Sequence, residues 1–139
     1  MTFLNKIIIV LLFLVTHAVS AAEISVIVNS TNSDAIDAKL IKRIYLGKTK
    51  SFANGTKANV LSLSDSISAT EEFRQKALSK STSQFKSYWS KLAFTGKGTP
   101  PKEIASEAAM IDAVKNDASA IGFVTSANVT GDVKVIATF

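Results

Sequence analysis

Three short segments of the chain concentrate hydroxyl side chains and backbone donors of the kind that hold a small anion. Asn29-Ser30-Thr31-Asn32-Ser33 follows a β-branched run, and Ser62-Leu63-Ser64-Asp65-Ser66-Ile67-Ser68-Ala69-Thr70 leads from a second apolar run into a helical pattern. Thr95-Gly96-Lys97-Gly98-Thr99 sets a lysine among glycines. Hydroxyls beside the free N–H groups of a helix start suit an oxyanion, because the unpaired amides and the helix dipole both favour negative charge. Asp65 adds an acceptor for a proton that the oxyanion still carries, which selects a protonated anion. Ser30 and Thr31, then Ser64, Asp65, Ser66 and Thr70, are therefore the candidate ligand contacts, with Lys97 as a more distant source of charge. Helix capping competes for the same groups: Ser33 or Asp34 suits the first helix, and Ser68-Ala69-Thr70-Glu71 has capping-box spacing. The lysine segment is no P-loop, since it lacks both the GxxxxGK[ST] spacing and a strand directly before it.

Much other chemistry is excluded by composition. The chain of 139 residues has no cysteine and one histidine, His17, so nothing beyond residue 22 can supply a thiolate, a Cys/His zinc site, a Ser-His-Asp triad or an imidazole base. Glu71 and Glu72 are neighbours and point about 100° apart on a helix, so they form no acid/base pair. Glu107 and Asp112 fall on the solvent side of their own helical pattern. The reading is a binding protein with no enzymatic activity, cofactor or metal. The formal charge of +5 favours anionic partners. Nucleic acid is not expected, because the basic residues are scattered and Phe85, Tyr88 and Trp89 lie at core spacing.

The elements that must position these segments follow from periodicity. Ile24 to Val28 reads as a buried strand, and Ile36, Leu40 and Ile44, flanked by Ile41 and Tyr45, mark a helix closed by Gly47. Ala58 to Leu63 is a second strand, and the next helix runs from the Ser68 box to about Leu78. Ser81-Thr82-Ser83-Gln84 repeats the capping-box spacing before Phe85, Tyr88, Trp89 and Leu92, so a third helix starts there. Phe94 to Pro101 is a loop, and the prolines are placed at the start of a fourth helix with Ile104, Ala108, Ile111 and Val114 as its buried stripe. Ala120 to Val124 and Val133 to Ile136 are closing strands around a turn at Asn128 to Asp132. The order β-α-β-α-α-α-β-β is an α/β layer arrangement.

Residues 1–22 carry the marks of a secretory signal peptide: Lys6, the apolar run Ile7 to Val15, then small residues through Ala22. That run is too short to span a bilayer, which takes roughly 20 apolar residues. Cleavage after Ala22 leaves residues 23–139 as one domain. An exported domain without disulfides points to a bacterial periplasm.

The segments taken together resemble the phosphate-binding proteins of bacterial uptake transporters, and their short, single-unit members in particular. The resemblance rests on Leu40 to Lys48, Phe52, the hydroxyl-rich turn before Phe73, Tyr88-Trp89, Phe94 to Gly98, and Ala120 to Val124. It implies a type II periplasmic-binding-protein-like architecture, as a single lobe or reduced form, with a mixed sheet flanked by helices. It also implies a phosphate-like oxyanion as ligand and an ABC permease as partner. The family holds its ligand with backbone amides, hydroxyls, an Asp and an Arg. Counted back from Phe73, Ser64 and Asp65 match the Ser-Asp of its Arg-Ser-Asp-Gly-Ser-Gly-Thr-Thr turn, and Thr70 matches its last Thr. Leu63 stands where the family has Arg, Ser66 and Ser68 replace glycines, and Ala69 replaces the first Thr. Without that arginine a bidentate contact is lost, and charged hydrogen bonds are worth about 1.5–3 kcal/mol each. One lobe cannot close over a ligand alone, so a homodimer or another partner would complete the cleft. The competing expectation is an interaction module that keeps the fold and docks an envelope protein.

Overall fold

The computed structural model describes residues 22–139, and the signal-peptide reading of residues 1–22 therefore lies outside the described residues except at its last position. No helix among the described residues is long and apolar enough to cross a membrane. The elements are β1 (Ile24–Asn29), α1 (Ala38–Tyr45), β2 (Asn59–Leu63), α2 (Ser68–Leu78), α3 (Thr82–Phe94), β3 (Lys102–Ile104), α4 (Glu107–Lys115), β4 (Ala120–Thr125) and β5 (Val133–Thr138). A single 3-10 turn at Ser126–Asn128 joins the last two strands. They build one mixed five-stranded sheet, ordered β3-β2-β4-β1-β5 and flanked by the four helices.

Strand direction matters most for the site. β2 runs parallel to β3 and to β4, whereas β1 runs antiparallel to β4 and to β5. The carboxyl ends of β2, β3 and β4 thus share one end of the sheet, and the carboxyl end of β1 points to the other. β4 shows how alternation builds both layers. Phe123 stacks on Phe73 of α2 with ring centroids 4.0 Å apart, and Tyr45 of α1 meets Phe73 edge-on at 4.7 Å. Gly122, one residue earlier, faces the opposite way, under Met110 and Val114 of α4. Every residue of β1 is buried, because helices cover both faces of the sheet around it.

Helix ends follow local chemistry with one exception. Asp37 caps α1 by accepting from the Leu40 amide at 2.8 Å, so neither Ser33 nor Asp34 is the cap. Ser81 and Gln84 form the expected reciprocal capping box of α3. The box expected at Ser68 is absent. Ser68 is the first residue of α2 behind an Ile67 N-cap that makes no side-chain hydrogen bond, and the Glu71 carboxylate turns instead to Thr82. The competing partner wins because the start of α3 packs against α2 and offers Glu71 both an amide and a hydroxyl.

The fourth helix also begins later than its apolar pattern suggests. Lys102–Ile104 forms β3, paired with Leu61–Leu63, and the Ser64 amide donates to the Ile104 carbonyl at 2.9 Å. Two prolines favour extended chain, and an open edge of β2 provides the ladder that a helix could not satisfy. Ser106 then caps α4, whose buried residues are Met110, Ile111 and Val114. Ala108 is exposed. Glu107 is not a solvent residue either: its carboxylate accepts from the Thr125 amide and, at 2.7 Å, from the Asn128 side chain.

Candidate functional site

The turn from Ser64 to Thr70 stands at the carboxyl end of β2 and the amino end of α2. Thr70 Oγ1 donates to the Ser64 carbonyl at 2.7 Å and the Ile67 amide donates to the same oxygen at 3.0 Å, which closes the bend. Ser64 Oγ and Ser66 Oγ lie 3.1 Å apart on its outer side. The amino end of α2 carries no side-chain cap, unlike those of α1, α3 and α4. The Thr70 amide is spent on the Ile67 carbonyl at 3.0 Å, which leaves the amides of Ser68 and Ala69 as the donors next to the serine hydroxyls.

Beneath the turn lies a residue that pattern reasoning passed over. Arg74 is buried on α2, 4% exposed, and its Nη1 donates to Asp65 Oδ1 at 2.6 Å and to Thr82 Oγ1 at 3.2 Å. Nη2 reaches Ser62 Oγ at 3.5 Å, and the guanidinium sits over the Phe85 ring, 4.3 Å from its centroid. Arg74 Nε is buried without a partner. Lys86 approaches the other Asp65 oxygen at 3.2 Å. Burial pushes the Asp65 carboxyl upward, but the hydrogen bonds and charges of Arg74 and Lys86 outweigh it and hold the group below its ordinary value. The Thr82 hydroxyl holds Glu71 below the usual carboxylate range against a smaller opposing effect of burial, helped by the Thr82 amide and Gln75. Asp65 and Glu71 are thus ionised at neutral pH, and their charges cancel those of Arg74 and Lys86.

Sequence reading placed the arginine contact at position 63 and found Leu63, which is fully buried. The structure brings Arg74 to Asp65 from the second turn of the following helix. Its signal was the spacing itself: Arg74 follows Thr70 by four residues and so shares its helix face.

The expected contacts do not all converge. Ser64, Asp65, Ser66 and Thr70 share this turn. Ser30 and Thr31 lie past the carboxyl end of β1, at the far end of the sheet, because β1 runs against β2. The strand between is five residues, or about 17 Å at ~3.3 Å per residue. Thr31 is also engaged locally, donating from both its amide and its hydroxyl to Asn29 Oδ1 at 3.0 and 2.7 Å. Asn29 is anchored in turn through its amide to the carbonyls of Val114 and Lys115. Lys97 follows the carboxyl end of α3, whereas it is the amino end, at Thr82, that meets Arg74; the 13-residue helix separates them by about 20 Å. Lys97 therefore supplies no charge to Asp65. Among the described residues no three His, Cys, Asp or Glu side chains gather as a metal site.

Comparison with solved structures places the fold. An ABC-type phosphate transport receptor from Vibrio cholerae superposes with a TM-score of 0.65 at 18% identity, over 83% of this chain and 46% of that one. A putative phosphate ABC transporter substrate-binding protein with bound phosphate from Clostridium perfringens gives 0.65, 18%, 83% and 45%. PstS from Borrelia burgdorferi gives 0.63 at 10% identity, over 84% and 47%. The chain has the periplasmic-binding-protein fold of these phosphate receptors and spans a little under half of their length. No protein-family model and no curated protein matches it.

Proposed function

We propose that the chain is an exported, periplasmic receptor for a small oxyanion of the phosphate class, bound at the Ser64–Thr70 turn, and that it delivers this anion to an ABC permease. The observation that carries the reading is the uncapped amino end of α2, bordered by the Ser64, Ser66 and Ser68 hydroxyls and rooted on the Arg74–Asp65 pair. Amides and hydroxyls supply neutral donors, and an ionised Asp65 accepts a hydrogen bond from the O–H of a protonated anion. The balanced charges of the turn favour a singly charged or partly protonated anion over a fully ionised one. The fold shared with phosphate receptors supports the same ligand class. Isothermal titration with phosphate tests it: saturable heat is expected, weakened by Ser64→Ala and by Arg74→Lys, which keeps the charge but loses the planar fork that orders Asp65. A folded protein that gives no heat at millimolar phosphate overturns it.

A second reading is favoured by the pairing of Asp65 with two cations. A turn whose acidic group is already matched is suited to a module that docks an envelope protein, or a second copy of itself, rather than to a ligand carrier. Size-exclusion chromatography with and without phosphate, and retention of a periplasmic partner under washing without any phosphate heat, distinguish this module from a carrier.

A further inference from the structure

A cavity of about 590 Å³ opens at the end of the sheet opposite the Ser64–Thr70 turn. It lies beside the amino ends of β2 and β3, closed on one side by the carboxyl end of α3. Its volume falls within the range of small-molecule sites. At ~30 Å³ per water it holds on the order of 20 water-sized groups, far more than one inorganic oxyanion fills.

Two features define its chemistry. Lys50, Lys57 and Lys102 line it, no acidic side chain does, and none of the three lysines joins an ion pair among the described residues. Ammonium groups gathered around one cavity repel each other, and a ligand with several negative charges relieves all of them at once. The apolar wall is the indole of Trp89, fixed by donation from its Nε1 to the Tyr45 carbonyl at 3.2 Å. Backbone crosses that ring closely at two glycines. A Cβ on Gly47 would stand 2.6 Å from Trp89 Cη2, and one on Gly98 would stand 3.1 Å from Cζ3. The ring is thereby locked in place with Trp89 6% exposed, so only its edge reaches the cavity, and Val60 and Pro100 supply the rest of the apolar surface.

We infer that this cavity binds a small organic polyanion with an apolar body, its charges taken by Lys50, Lys57 and Lys102 and its body lying against Val60, Pro100 and the exposed edge of Trp89. The site is separate from the oxyanion turn and does not depend on it.

Trp89 is the only tryptophan in the chain, so its emission reports on this cavity. ATP is a suitable probe, having a planar base and several charges; adenosine supplies the base alone and inorganic triphosphate the charge alone. ATP should change Trp89 emission saturably, and more tightly than either half. Each single Lys→Ala substitution should weaken ATP about threefold and the triple variant about thirtyfold, as expected for exposed ion pairs. The three lysines are exposed, and an unchanged far-UV spectrum confirms that the variants remain folded. Ser64→Ala should leave ATP binding unaltered, which separates this site from the oxyanion turn. Absence of a saturable change, equal binding of adenosine, or unaltered affinity in the triple variant would each overturn the inference.

Discussion

Removing the two partners of the Arg74–Asp65 pair should have unequal costs, because they are unequally buried. The Arg74 side chain is 5% exposed and that of Asp65 37%. Arg74→Met loses a charge-assisted hydrogen bond worth about 1.5–3 kcal/mol and a desolvated cation–π contact with Phe85 of about 2 kcal/mol. It also removes the buried, unpartnered Nε, which by itself costs about 1–3 kcal/mol. The Asp65 carboxylate left behind is reached by water and by Lys86, so the net loss should be about 1–2 kcal/mol. Asp65→Ala instead strands a buried guanidinium. Breaking a buried pair in that sense costs about 3–5 kcal/mol, reduced here to about 3 kcal/mol because water enters where the carboxylate stood. The double variant, with no charge left unmatched, should be close to Arg74→Met alone. Urea unfolding followed by Trp89 emission and far-UV circular dichroism reads these differences as midpoints at constant slope. Equal costs, or a larger loss for Arg74→Met, would show that Arg74 is not anchored through Asp65, and the account of the turn would fall with it.

Three further outcomes follow from the same contacts. Asp65 has its carboxyl lowered in the folded state, so its stabilisation is complete above the unfolded value of about 3.9 and is lost as pH falls through the folded value; Asp65→Asn should flatten the acid side of the melting-temperature profile. Ser81→Ala should lower stability by about 1 kcal/mol and Ser68→Ala by almost nothing, because of these two serines Ser81 alone caps a helix; chemical denaturation of the two variants makes the comparison. Gly122→Ala should cost about 1–3 kcal/mol, since the new methyl would lie 2.4 Å from Met110 Sδ, and the same substitution should cost less when made in a Met110→Ala background, read in the same assay.

How much could be read in advance varied with the range of the forces involved. The helix over Thr82–Phe94 was legible because its cap and its apolar stripe at Phe85 and Trp89 lie within a few residues of each other. The strands Ile24–Asn29 and Ala120–Thr125 were legible because β-branched and other apolar residues fill positions that are buried on both faces. Lys102–Ile104 was misread as helix because its state depends on the free edge of β2, about forty residues earlier in the chain. Ser68 failed as a cap for a related reason: Glu71 found a stronger partner in Thr82, across a helix–helix corner that no local pattern displays.

The candidate site divides along the same line. Residue types alone left the chain beyond residue 22 with hydroxyls, amides, carboxylates and basic side chains as its chemical groups, and adjacency alone placed Ser64, Asp65, Ser66 and Thr70 on one bend. Strand direction, a property of the assembled sheet, decided that Ser30 and Thr31 stand at the far end and that the carboxyl end of α3 carries Lys97 away. Packing of α2 against α3 decided that the arginine beside Asp65 is Arg74. Local order depends on neighbours in sequence, whereas convergence of charges depends on which edges and faces close on one another, and only the folded chain settles that.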